Sequence, residues 1–107
     1  MLNDARVWAA VGTALADVAD VRTANVASQS SITDMAHDAW RLLEDLPPQA
    51  PVVLAGFSMG GYVAIEMLAR PRPPIHAAAL VATPCRPESE QGRPARDNSI
   101  AALPTDF

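Results

Sequence analysis

Lysine is absent from this chain, and all eight of its basic residues are arginine. That absence excludes a P-loop, whose Gly-Lys-Ser/Thr ending sets an ammonium against a nucleotide's phosphates. Cysteine occurs once, at Cys85, so an internal disulfide framework and a cysteine-built zinc site are excluded. Positive charge is scarce: the net charge is −4 and the isoelectric point about 4.9, which leaves no basic surplus to neutralise nucleic-acid phosphates. No apolar run approaches the ~18 residues of a membrane span. The first 19 residues carry Asp4, Arg6 and Asp17 where a secretory signal would need an apolar core. The expectation is a cytoplasmic protein with no metal, no other cofactor, no nucleic-acid partner and no membrane partner.

What is present fits a soluble globular chain: half the residues are hydrophobic, 19% are charged, and 21 are alanine. At 107 residues the chain offers one domain at most, against a prior of roughly 150 residues per domain. Val7, Val11, Leu15 and Val18 recur at helical spacing, with Trp8 widening the face, and predict a helix over 3–19 capped by Asn3 or Asp4. Residues 21–26 (VRTANV) read as a short strand. A helix over 32–46 follows, with Ser31 and Asp34 at capping-box spacing and Pro47-Pro48 as its stop. The unbroken apolar run VVLA at 52–55 predicts a strand buried on both faces, residues 59–70 a helix, and residues 75–82 (IHAAALVA) a further buried strand. After Pro84 the chain turns polar and weakly periodic. Helix and strand alternate, so the fold class is α/β with a parallel sheet.

One motif carries chemistry. Gly56-Phe57-Ser58-Met59-Gly60 matches G-x-S-x-G, with a further Gly61. The pentapeptide alone is weak, since chance supplies it in roughly a few per cent of chains this long with glycine at about 7%. Its setting is far more specific: a buried strand enters it and an amphipathic helix leaves it, as a nucleophile elbow requires. A sharp turn strains the serine backbone and demands small neighbours two positions away, where Gly56 and Gly60 stand. The helix that follows aims its positive end and free N–H groups at the site of a developing oxyanion, with the Met59 N–H as one donor. The bland alternative is a glycine-rich turn with a bystander serine. A dinucleotide fingerprint is ruled out by the glycine spacing.

The segments LAGFSMGGYVAIEML at 54–68, NDARVW at 3–8 and Val81-Ala82-Thr83-Pro84 resemble the α/β-hydrolase superfamily, in particular its small esterase-like and C–C-hydrolase-like members. The resemblance covers about residues 1–84 and implies a three-layer, parallel-sheet α/β-hydrolase-like fragment with about three strands and three helices. Residues 1–84 would be a partial hydrolase core, and residues 85–107 a polar tail or the start of a cap or other element. In the family a central strand precedes NDARVW-like segments and lies between the strands expected here at 21–26 and 52–55. Counting back from Trp8, the second oxyanion donor falls at Met1 or Leu2. The family order is Ser, then Asp or Glu, then His. After Ser58 the one histidine is His76, at the wrong end of a strand, while His37 precedes the nucleophile on a helix. Asp97 and Asp106 follow in the tail with no histidine after either. The resemblance therefore implies a triad without its acid and His, and a chain nearly inactive by itself.

The remaining candidates have plainer readings. Cys85 is not read as a nucleophile, since Arg86 beside it is taken as solvated. Tyr62 and Phe57 read as packing residues, and Trp8 and Trp40 as helix-face core. A serine at the elbow argues against dehalogenase and epoxide-hydrolase chemistry, which the superfamily runs on an aspartate there. The functional expectation is a serine hydrolase acting on small ester or related acyl substrates through Ser58. Its alternative is a non-catalytic hydrolase-like module that binds a ligand or partner. The sequence leaves the oligomeric state open.

Overall fold

The computed structural model describes residues 4–70, 74–86 and 89–102. Two strands, β1 (Val53–Phe57) and β2 (Ala77–Val81), pair in parallel with Val53 opposite Ala77 and Phe57 opposite Val81. The remaining elements are helices: α1 (Ala9–Leu15), entered through a 3₁₀ turn at Ala5–Trp8, then α2 (Ile32–Arg41), α3 (Met59–Ala69) and α4 (Gly92–Ala101). The centre of the molecule is β1–α3–β2. A parallel pair cannot be joined by a hairpin, so α3 makes the crossover.

α3 packs on β1, and α2 packs on α3. Met35, Ala36, Ala39 and Trp40 of α2 meet Val63 and Met67 of α3 in one buried cluster, with Leu54, Met59 and Ile75 against it. α2 forms where the sequence places its start. Ser31 Oγ accepts from the Asp34 N–H at 3.1 Å and donates to the Asp34 carboxylate at 2.8 Å, a variant of the capping box in which the acid takes the hydroxyl proton. The helix ends at Arg41, earlier than the expected 46, and residues 42–45 continue as turns. Arg22 explains the stop: its guanidinium donates to the Leu42 carbonyl at 2.5 Å and forks onto Asp45 and Asp20. It thereby satisfies a carbonyl that the helix would otherwise leave unpaired.

Three expectations need correction. Residues 21–26 form no strand; Ala24 and Val26 lie against the α2–α3 cluster instead, since a strand needs a neighbour to bond and β1 pairs only with β2 among the described residues. Among the described residues the sheet therefore has two strands, not three, and the chain forms four α-helices, of which α3 packs on the sheet. Neither strand is buried on both faces: Leu54 and Gly56 point inward, whereas Val53 is 64% exposed and Ala77, Ala78 and Ala79 are exposed. Among the described residues α3 covers one side of the sheet, and neither α1 nor α4 packs on it.

The expected helix over 3–19 is a 3₁₀ turn followed by the seven residues of α1, with Asp4 accepting from the Arg6 N–H at 3.0 Å (Asn3 lies outside the described residues). Val7, Val11 and Leu15 remain about 40% exposed along it, because α1 contacts no other element than its own 3₁₀ turn. Residues 85–107, read as a polar tail or the start of a cap or other element, contain α4, which among the described residues packs on no other element. The radius of gyration, 15.6 Å, accordingly exceeds the roughly 13 Å of a compact domain of 100 residues.

At the opposite end of the sheet from the G-x-S-x-G segment, His76 closes the start of β1. Its N–H donates to the Val52 carbonyl at 2.8 Å, and its Nδ1 accepts the Val52 N–H at 3.1 Å. The side chain thus supplies an acceptor that a sheet ladder would otherwise provide.

With the core confined to one face, Trp40 carries a large share of it. Trp40→Ala is expected to cost about 3–5 kcal/mol, against the roughly 5–15 kcal/mol that holds a whole domain. A urea titration followed by circular dichroism should show the variant's midpoint shifted to markedly lower urea. Arg22 holds the Asp45 carboxyl below its ordinary range by direct hydrogen bonding. A depressed carboxylate contributes stability above its ordinary pKa and loses it as pH falls through the folded value. In Arg22→Ala the Asp45 midpoint, read by carbon-detected NMR, should rise to the ordinary carboxylate range.

Candidate functional site

β1 ends at Phe57, α3 begins at Met59, and Ser58 alone makes the corner between them. Its backbone stands at φ 53°, ψ −118°. A non-glycine residue in this region costs on the order of 1–3 kcal/mol and persists only where its surroundings hold it there. Here both polar backbone groups of Ser58 are tied down. Its N–H donates to the Val81 carbonyl at 2.9 Å, continuing the sheet ladder by one residue. Its carbonyl accepts from the Thr83 hydroxyl at 2.8 Å and from the Gly61 N–H at 3.0 Å.

Glycine is demanded at two places around the corner. A Cβ on Gly56 would lie 2.5 Å from the Gly60 carbonyl oxygen and 2.6 Å from the Gly61 Cα, a collision with backbone that cannot give. A Cβ on Gly61 would strike the Thr83 side chain. Gly60 differs from the steric expectation: a Cβ there meets nothing within 4 Å, so the crowding falls on 56 and 61.

The Ser58 side chain is exposed and makes no capping bond to α3. Serine usually caps a helix by accepting from its first N–H groups; the left-handed backbone turns this hydroxyl away from that role. The first turn of α3 carries no acidic residue, so the positive end of the helix is not offset by a carboxylate of its own. Met59 anchors that turn through its half-buried side chain, which packs against the core cluster. An exposed hydroxyl free of intramolecular bonds, at the positive end of a helix, can meet a polar ligand or a carbonyl carbon.

The other residues singled out in the sequence are scattered. His76 sits at the start of β2, and Ser58 follows the end of the paired strand, five residues along at about 3.3 Å each. His37 is exposed on α2, and neither histidine is hydrogen-bonded to Ser58. Asp97 lies exposed on α4. Cys85 is exposed, its Sγ 4.0 Å from the Thr83 carbonyl oxygen. Tyr62 is 43% exposed on α3, Phe57 is half-buried, Trp8 half-buried and Trp40 buried. Met1, Leu2 and Asp106 lie outside the described residues. Among the described residues no three His, Cys, Asp or Glu side chains gather into a metal site, and no helix is long and apolar enough to cross a membrane. The open grooves along α1, lined by Trp8, Gly12 and Val21, and along α4, lined by Arg93 and Asp97, do not include Ser58.

Two residues of the Val81–Pro84 segment, Ala82 and Thr83, carry no site role in the sequence. Ala82 also has φ 53°, and the parallel register sets it beside Ser58, one residue past Val81 as Ser58 is one past Phe57. A signal for Thr83 was present in Pro84, which biases the preceding residue towards extended backbone at the mouth of the sheet.

The profile of the family described as serine aminopeptidase, S33, matches residues 18–104, which is 87 of the 107 residues. No curated protein and no solved structure matches the chain. With a strand–corner–helix unit in a mixed α/β fold and a family match over most of its length, the chain belongs to the serine aminopeptidase S33 family of α/β-hydrolase-type hydrolases.

Proposed function

We propose that this chain carries the nucleophile of a serine hydrolase acting on ester or related acyl substrates, with Ser58 at a nucleophile elbow. The observation that carries the reading is the left-handed backbone of Ser58, which leaves its hydroxyl exposed and uncapped at the start of α3. In the proposed reaction Ser58 Oγ attacks the substrate carbonyl carbon while its proton passes to a histidine. The carbonyl oxygen becomes an oxyanion held by the Met59 N–H and a second donor at Met1 or Leu2. The bond to the alcohol then breaks, the alcohol leaves with the proton, and an acyl-serine remains. Water, deprotonated by the same base, attacks the acyl carbon and returns Ser58 with release of the acid.

His76 is engaged by Val52 at the far end of the sheet and His37 is exposed on α2, so the proposed base comes from outside these 107 residues. The chain by itself then turns over slowly, since loss of a triad member lowers kcat by orders of magnitude. The family description names an aminopeptidase, which favours amides as a second substrate class reached through the same acyl-serine. Parallel assays of a matched ester and aminoacyl amide separate the two.

An external base makes the reading testable in the chain as it stands. With a fluorophosphonate and added imidazole, phosphonylation should fall on Ser58 in preference to the other five serines, at a rate rising with imidazole concentration. Peptide mass mapping reads the site. Labelling spread over several serines, or unchanged in Ser58→Ala, would remove the nucleophile from this position. Gly56→Ala should cost about 1–3 kcal/mol through overpacking against Gly60 and Gly61. It should also slow Ser58 labelling, read by the same assay alongside a thermal melt.

A further inference from the structure

The Thr83 hydroxyl lies 2.8 Å from the Ser58 carbonyl oxygen and 3.2 Å from that of Val81. It has one proton, and the shorter contact identifies Ser58 as its acceptor. The Val81 carbonyl already receives the Ser58 N–H at 2.9 Å. The corner at 58 is thus clasped twice by the end of β2, once at each polar group of its backbone. The space that Thr83 needs exists because Gly61 has no side chain.

The peptide bond from Ser58 to Met59 is planar and trans, so its carbonyl and the Met59 N–H point in opposite directions in one plane. Whatever fixes the Ser58 carbonyl therefore fixes the direction of the Met59 N–H. We infer that Thr83 is a positioning residue: its hydroxyl bond to the Ser58 carbonyl sets the Ser58–Met59 peptide plane and thereby aims the Met59 N–H at the oxyanion. This assignment rests on the reading of Ser58 as nucleophile for its chemical meaning, although its geometric half stands apart from it. The Thr83 hydroxyl bonds a backbone carbonyl of Ser58, not its Oγ. It acts from the neighbouring strand through a bond to backbone, beyond the reach of a motif read along the elbow alone.

The test compares Thr83→Val, which keeps the shape and loses the hydroxyl, with Thr83→Ser, which keeps the hydroxyl. Two readouts are taken on the full chain: the residual dipolar coupling of the Met59 N–H, which reports its direction, and the imidazole-assisted phosphonylation rate at Ser58. In Thr83→Val the Met59 coupling is expected to change while those of Val63 and Ala64 in the same helix hold. Labelling is expected to slow by about ten- to a hundredfold, the scale of a misaligned reacting geometry. Thr83→Ser is expected to match the parent in both. Unchanged coupling and rate in Thr83→Val, or equal losses in Thr83→Ser, would overturn the proposal. Gly61→Ala reaches the same bond from the other side should Thr83→Val not fold. It is expected to disturb the Met59 coupling when Thr83 is present and to add nothing in the Thr83→Gly background, where the side chain it would strike is gone; an equal effect in both backgrounds counts against the proposal. If the parent chain does not label at Ser58, the hydrolase reading falls, while the Met59 couplings still decide the role of Thr83.

Discussion

The parallel register of β1 with β2 is the constraint on which the rest of this structure depends. It brings the ends of two strands level, so that Ser58 and Ala82 leave the sheet side by side, both at φ 53°. A serine in that conformation is unfavourable by itself. The neighbouring strand stabilises it by accepting the Ser58 N–H and donating the Thr83 hydroxyl, and the two glycines at 56 and 61 clear the volume in which this happens. A shift of register by one residue would separate the partners and reverse the faces of both strands.

Much of this was legible in the residues. The apolar run before Gly56, the glycine spacing and the amphipathic run after Ser58 locate the strand, corner and helix. The Ser31–Asp34 spacing locates the start of α2. Other features were hidden for identifiable reasons. VRTANV has strand-like composition, but pairing depends on a neighbour, and composition does not reveal whether one is there. VVLA looks like a doubly buried strand because hydrophobicity reports what a segment would tolerate; the cover on each face is a property of the whole fold. The early end of α2 depends on Arg22, twenty residues from the Leu42 carbonyl it bonds.

The candidate site divides in the same way. Local sequence marks Ser58, Met59 and the glycines because their chemistry is confined to a few adjacent residues. Thr83 lies 25 residues further on, in a segment whose polar residues look like ordinary loop. Its significance arises only when the two strand ends are level. Gly60, marked by the motif for steric reasons, has open space above it, while Gly61 does the crowded work against Thr83.

The partners in the β1–β2 ladder stand 24 positions apart, and all the bonds that hold the corner fall within 58–83. Such short-range closure is inexpensive in chain entropy and quick to form. During synthesis the corner can therefore organise as soon as this one stretch has emerged from the ribosome, without waiting for α4 to follow it. Whatever later covers the bare side of the sheet would then assemble onto a geometry already set.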